Sequence, residues 1–317
     1  MYQADYEAAG AAGAGPVIVA AAPADPLPLA LDRQGLLRWV GPAISAAVFL
    51  AVLYNLRSLS FREVESLVPR SPFFWAMFLA FYMAIPLSEW VIFRRLWQIP
   101  GSGFLALLRK FVGNEILLGY IGEVYFYSWA RRRSAMVGAP FGAIKDVAIL
   151  SAFTGNAVTL AMVALAWPFI GWLSLGVHSR PIYASAVVML LVSLAAMPFR
   201  RRLFSLPWHE LRFVIALHTA RILGSGLLLA SMWHIVLPDV ALRWWLLLAA
   251  LRLLVSRLPL LPNKDFVFAG IAVVLVGHDS GIADLLTMMA SLLLATHIAV
   301  GLILAALEAR GGKESAA

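Results

Sequence analysis

Six apolar runs, at residues 36–56, 73–93, 144–167, 182–198, 213–236 and 284–307, are each long enough to cross about 30 Å of hydrocarbon as a helix. Two further apolar stretches, 104–130 and 241–278, are broken inside. Gly113, Asn114, Glu115, Gly119 and Gly122 interrupt the first, and Pro259, Pro262, Asn263 and Asp265 interrupt the second. Lipid offers backbone N–H and C=O groups no hydrogen-bond partner, so irregular chain at membrane depth persists only where protein or water shelters it. Each broken stretch is therefore expected to be a helical hairpin that enters and leaves on one side. Composition agrees, because a 317-residue chain that is 62% hydrophobic and 13% charged has more apolar surface than a soluble domain could bury.

Lysine plus arginine (25) exceed aspartate plus glutamate (17) by 8, which in a membrane chain points to cytoplasmic loops and anionic lipid headgroups rather than nucleic acid. With no cysteine, the chain has no disulfide, thiolate metal site or cysteine nucleophile. Arg94 and Arg95 precede the first broken stretch, Arg109 and Lys110 sit at its entrance, and Arg131, Arg132 and Arg133 follow it. Together with Arg200 to Arg202, Arg310 and Lys313, they place both termini and both ends of the first hairpin in the cytoplasm, with Arg180 outside. The order is then span, span, inner hairpin, span, followed by the same order begun from the opposite side.

The expected fold is all-α and integral to the membrane: six spanning helices and two re-entrant hairpins in an inverted-topology repeat. Residues 1–34 read as a disordered tail rich in Ala, Gly and Pro, whose early charges, Asp5 and Glu7, do not suit a signal peptide. Residues 35–175 form the first repeat, 176–309 the second, and 310–317 a short tail, in a bacterial cytoplasmic membrane.

Glu89, Glu115, Glu123, Lys145, Asp146, Arg221 and Asp265 fall within apolar segments. Facing lipid, each would cost about 3 kcal/mol, or roughly 20 kcal/mol together. They must instead face one another, water or a ligand. Lys145, Ala152, Asn156 and Thr159 recur on about one helical face, as do His218, Arg221 and Ser225. Interhelical pairing, such as Glu89 with Arg221, accounts for any one of these. Their concentration at the hairpins favours a polar path for a ligand. Arg109, Lys110, Arg131, Lys145 and Arg221 are candidates to attract phosphate or carboxylate, while Glu123 and Asp265 orient or neutralise those cations in one shared cavity. Asn114, Glu115, Asp146, Asn263 and Lys264 complete the candidate set, from the hairpins and their neighbours. Tyr120, Tyr125, Tyr127 and Trp129 suit a headgroup boundary.

Gly122-Glu123, Arg131 to Arg133, Pro140 and Lys145-Asp146 in the first half, with Leu258-Pro259-Leu260-Leu261-Pro262 through Asp265 and Gly277 in the second, carry a resemblance. In this order they resemble the lysylphosphatidylglycerol synthase transmembrane-region family of flippase-like proteins, over roughly residues 36 to 307. Phe126 stands where members of that family often carry an arginine, and Thr296 and His297 replace an arginine of the last span. The resemblance implies a lipid transporter that moves an anionic or glycosylated lipid between leaflets, with membrane lipids as partners and homo-oligomerisation compatible. A membrane enzyme or accessory subunit acting on a lipid-linked substrate is the alternative. The six histidines have no metal-ligand spacing and no glycine loop cradles phosphate, so neither a metal nor another cofactor is expected.

Overall fold

The computed structural model describes residues 69–116, 121–131, 140–166, 204–257, 264–276 and 281–314. The expected spans at 36–56 and 182–198, the expected tail at 1–34, residues 315–317 of the expected tail at 310–317, and Arg132, Arg133, Arg180, Arg200 to Arg202 and Asn263 lie outside them. Eight helices occupy the described residues, which contain no strand: α1 (Pro72–Trp97), α2 (Gly101–Ile116), α3 (Ile121–Arg131), α4 (Pro140–Ala166), α5 (Trp208–Val236), α6 (Leu242–Ser256), α7 (Lys264–Val276) and α8 (Ile282–Glu314).

Four of these, α1, α4, α5 and α8, are long and apolar enough to cross a membrane, and they cover the four described runs expected to do so. At 1.5 Å per residue each extends about 40 Å or more. The chain is an integral membrane protein by this measure. Local chemistry sets the ends of α1. Pro72 enters where its missing N–H costs nothing, and Gln98 closes the helix in the left-handed region (φ 51°, ψ 39°), donating its N–H to the Arg94 carbonyl at 2.8 Å. Arg94 and Arg95 occupy the last turn, where the helix dipole favours cations.

The two broken stretches form two pairs of short helices, α2 with α3 and α6 with α7, packed limb against limb. With 11 to 16 residues each, the limbs extend only about 17 to 24 Å. One expected break is misplaced. Gly113, Asn114 and Glu115 do not interrupt the helix, because α2 runs unbroken to Ile116. A helical glycine costs only about 1 kcal/mol, which packing overrides. Gly122 does a different job: a Cβ there would collide with the Lys110 carbonyl, so glycine lets α3 lie directly on α2. Asn114 Oδ1 accepts the Gly122 N–H at 2.8 Å, tying the two limbs beside their turn.

The two halves keep a common spacing. α6 begins 141 residues after α2 (242 against 101), α7 143 after α3 (264 against 121) and α8 142 after α4 (282 against 140). Neighbours correspond as well. α2 packs on α8 of the other half as α6 packs on α4, while α1 and α5 pack on each other. Two large apolar cores result among the described residues. One joins Tyr82, Phe111, Leu229, Trp245, Phe268 and Leu285, and the other joins Ile92, Leu107, Phe126, Val147 and Val214. Along α1 and α5, the charged residues Glu89 and Arg221 fall where the helix passes from one core to the other.

Candidate functional site

A cavity of about 260 Å³ opens among α1, α2, α5, α6, α7 and α8, so both halves and both hairpins contribute to its wall. By the same measure a single water needs about 10 to 15 Å³. Four cations line it: Arg221 of α5, Arg252 of α6, Arg257 just beyond α6, and Lys264 at the start of α7. Glu115 and Asp265 supply the carboxylates, and Phe81, Ile85, Leu229 and Leu293 supply apolar wall.

Each cation is placed by the hairpin or a neighbouring helix. Arg252 Nε donates to Asp265 Oδ1 at 2.7 Å, joining the two limbs of the second hairpin, and its guanidinium lies 5.4 Å from the centre of the Phe81 ring. Lys264 Nζ donates to the Ser256 carbonyl at 2.8 Å, and Arg257 Nε donates to Ser256 Oγ at 3.2 Å. The C-terminal end of α6 favours Arg257, and the N-terminal end of α7 favours Asp265. The Arg257 guanidinium rests on Gly155 of α4, where any Cβ would strike it. Arg221 reaches across to α4 and donates from Nη2 to Ser151 Oγ at 3.2 Å, while its Nε is buried without a hydrogen-bond partner. Tyr82 Oη and His297 Nδ1, 3.0 Å apart, close the wall between α1 and α8.

The first hairpin builds a different cluster. Lys110 is 3% exposed and lies 2.6 Å from Glu89 Oε1 and 3.3 Å from Glu123 Oε1. The second oxygens of both glutamates, Oε2, are buried without partners. Two expectations change here. Glu89 pairs with Lys110, not with Arg221. Glu115, not Glu123, joins Asp265 on the cavity wall. The reason is the unbroken course of α2: five residues at 100° each put Glu115 about 140° around the helix from Lys110. Lys110 therefore meets Glu89 and Glu123 while Glu115 faces the second hairpin.

Of the other described residues expected at the site, none lines the cavity. Arg109 donates to Tyr125 Oη (3.2 Å) and to the Leu304 carbonyl (2.7 Å), tying α2 to α3 and α8. Arg131 donates to Tyr127 Oη at 3.0 Å. Lys145 lies 3.4 Å from Asp146 Oδ1 and 3.4 Å from Ser205 Oγ. Asp146 is fully buried, and its Oδ2 accepts the N–H groups of Ser205 (2.6 Å) and Leu206 (2.7 Å), anchoring the segment that leads into α5. Asn114 serves the hairpin turn. The cavity thus gathers Glu115, Arg221, Lys264 and Asp265 from the candidate set. It adds Arg252, Arg257, Ser256, Tyr82 and His297, which sequence reasoning missed. A signal for Arg252 exists: it precedes Asp265 by 13 residues, as Lys110 precedes Glu123 (123 against 110).

No family model matches the chain, and no characterised protein or solved structure matches it.

Proposed function

We propose that this protein is a lipid transporter of flippase type, moving an anionic or glycosylated lipid between leaflets. The observation that carries this reading is the cavity itself, which both halves wall together and which holds four cations against two carboxylates among described residues. Charge at membrane depth is costly unless partnered, and a headgroup phosphate or carboxylate is the partner that fork-shaped guanidinium groups bind in bidentate fashion.

Three features support the finer architecture. The limbs of both hairpins are too short to cross about 30 Å of hydrocarbon. The common spacing and neighbour pattern of the halves fit an inverted repeat, in which the first hairpin enters from the cytoplasm and the second from outside. At the first hairpin the ion cluster is shut around Lys110; at the second, Arg252 and Asp265 border open space. That asymmetry is what a transporter open to one side requires. In this reading the protein sits in a bacterial cytoplasmic membrane with both termini inside.

The test is lipid movement in proteoliposomes carrying a fluorescent anionic lipid. The parent protein is expected to accelerate exchange between leaflets, and Arg221→Ala to slow it while folding is retained. No acceleration with any anionic or glycosylated headgroup would shift the reading to an enzyme or accessory subunit.

A further inference from the structure

Building on the reading of the cavity as a headgroup site, the charge balance specifies which anion it takes. Among the described lining residues, the cations Arg221, Arg252, Arg257 and Lys264 outnumber the carboxylates Glu115 and Asp265 by two. A zwitterionic headgroup brings no net charge, and a phosphodiester headgroup brings one negative charge. A phosphomonoester brings about two near neutral pH, with three acceptor oxygens.

The donors are arranged for such a group. The two limbs of the second hairpin hold Arg252 and Lys264, and α5 of the same half supplies Arg221, so three helices bring cations to the space while Glu115 reaches it from the first half. Arg252 donates to Asp265 and lies over the Phe81 ring, Lys264 donates to the Ser256 carbonyl, and neither hydrogen bond uses all of the donor's N–H groups. Arg221 has a buried Nε with no partner. The rest of the wall mixes apolar Phe81, Ile85, Leu229 and Leu293 with Tyr82, Ser225, Ser256 and His297, with no further described carboxylate to repel a dianion. We infer that the cavity binds the terminal phosphomonoester of a lipid, with Arg221, Arg252 and Lys264 contacting its oxygens and Glu115 limiting the excess of positive charge.

The experiment uses the full chain in phosphatidylcholine nanodiscs and measures thermal protection and apparent affinity for phosphatidic acid, phosphatidylglycerol, phosphatidylethanolamine and inorganic phosphate. Phosphatidic acid is expected to bind about tenfold more tightly than phosphatidylglycerol, because it offers an extra charge and an extra charged hydrogen bond. Lys264→Gln should reduce that preference, and Glu115→Gln, which removes a repelling carboxylate, should raise it. Opposite shifts from two substitutions at one cavity cannot come from general loss of folding. Equal binding of phosphatidylglycerol, or a preference unmoved by both substitutions, would overturn the assignment. Equal protection by inorganic phosphate would assign the cavity to a soluble phosphate ester and overturn its lipid source. A preference for phosphatidic acid without its movement between leaflets would remove the transport reading and keep the headgroup. Movement of phosphatidylglycerol with no preference would do the reverse.

Discussion

Glu123 lies 3.3 Å from Lys110, 13 residues before it, and Asp265 lies 2.7 Å from Arg252, also 13 residues before it. In both hairpins the base stands in the second half of the first limb, before its last turn, and the acid in the first turn of the second. Each pair therefore locks its limbs together beside the turn. Lys110 differs in having a second carboxylate, Glu89 of α1, which draws the first hairpin onto a long helix.

Removing the charge of Lys110 should be strongly destabilising. Lys110→Met leaves Glu89 and Glu123 facing each other in a buried site, and breaking one partner out of a buried ion pair costs about 3 to 5 kcal/mol. Thermal unfolding in detergent is expected to show a large fall in midpoint for Lys110→Met. The triple variant that adds Glu89→Gln and Glu123→Gln should recover most of it. No recovery would mean that Lys110 acts by packing rather than charge.

At Gly122 the limbs touch through backbone. Gly122→Ala should cost about 1 to 3 kcal/mol, as overpacking does, because its methyl group meets the Lys110 carbonyl and cannot rotate away. Gly101→Ala is the control, since a Cβ there meets nothing within 4 Å. Equal unfolding midpoints for the two variants would contradict the close contact of α2 and α3.

Asp146 was expected at the site and instead holds two backbone N–H groups ahead of α5. Asp146→Ala should lower stability by about 2 to 3 kcal/mol, the range for hydrogen bonds to a charged group. In molecules that remain folded, lipid affinity should be unchanged, because Asp146 lines no part of the cavity. Weakened lipid binding at unchanged stability would return Asp146 to the site.

These cases show what the sequence made legible. Long apolar runs identify α1, α4, α5 and α8, because length and composition alone determine whether a helix can span. Charges within apolar segments single out Glu115, Arg221 and Asp265, since burial must be compensated, and Lys264 follows from its place in the second broken stretch; the same rule also names Glu89, Glu123, Lys145 and Asp146, which pair elsewhere. Pairing was not legible: the choice of Lys110 over Arg221 for Glu89 depends on how far around α2 the lysine points and where α2 crosses α1. Arg252 and Arg257 lie inside the second broken stretch but were not singled out, because only the fold shows that α6 turns them toward the cavity. Tyr82 and His297 are single polar residues in apolar helices, and only the packing of α1 against α8 brings them together.

The side from which the cavity opens can be decided with one reactive thiol. The chain has no native cysteine, so Ser225→Cys on the cavity wall gives a unique probe of nearly the same size. If the second hairpin enters from outside, its turn and the cavity around Arg252 and Asp265 are reached by water from that side, while the Lys110 cluster shuts the cytoplasmic path. A membrane-impermeant thiol reagent should therefore label Ser225→Cys in sealed cells or right-side-out vesicles, and phosphatidic acid should slow that labelling by occupying the same space. In inverted vesicles the label should be much weaker, and it should rise when Lys110→Met loosens the cytoplasmic cluster. Strong labelling only from the cytoplasmic side would reverse the orientation of both hairpins, and equal labelling from both sides would replace a one-sided cavity with an open channel.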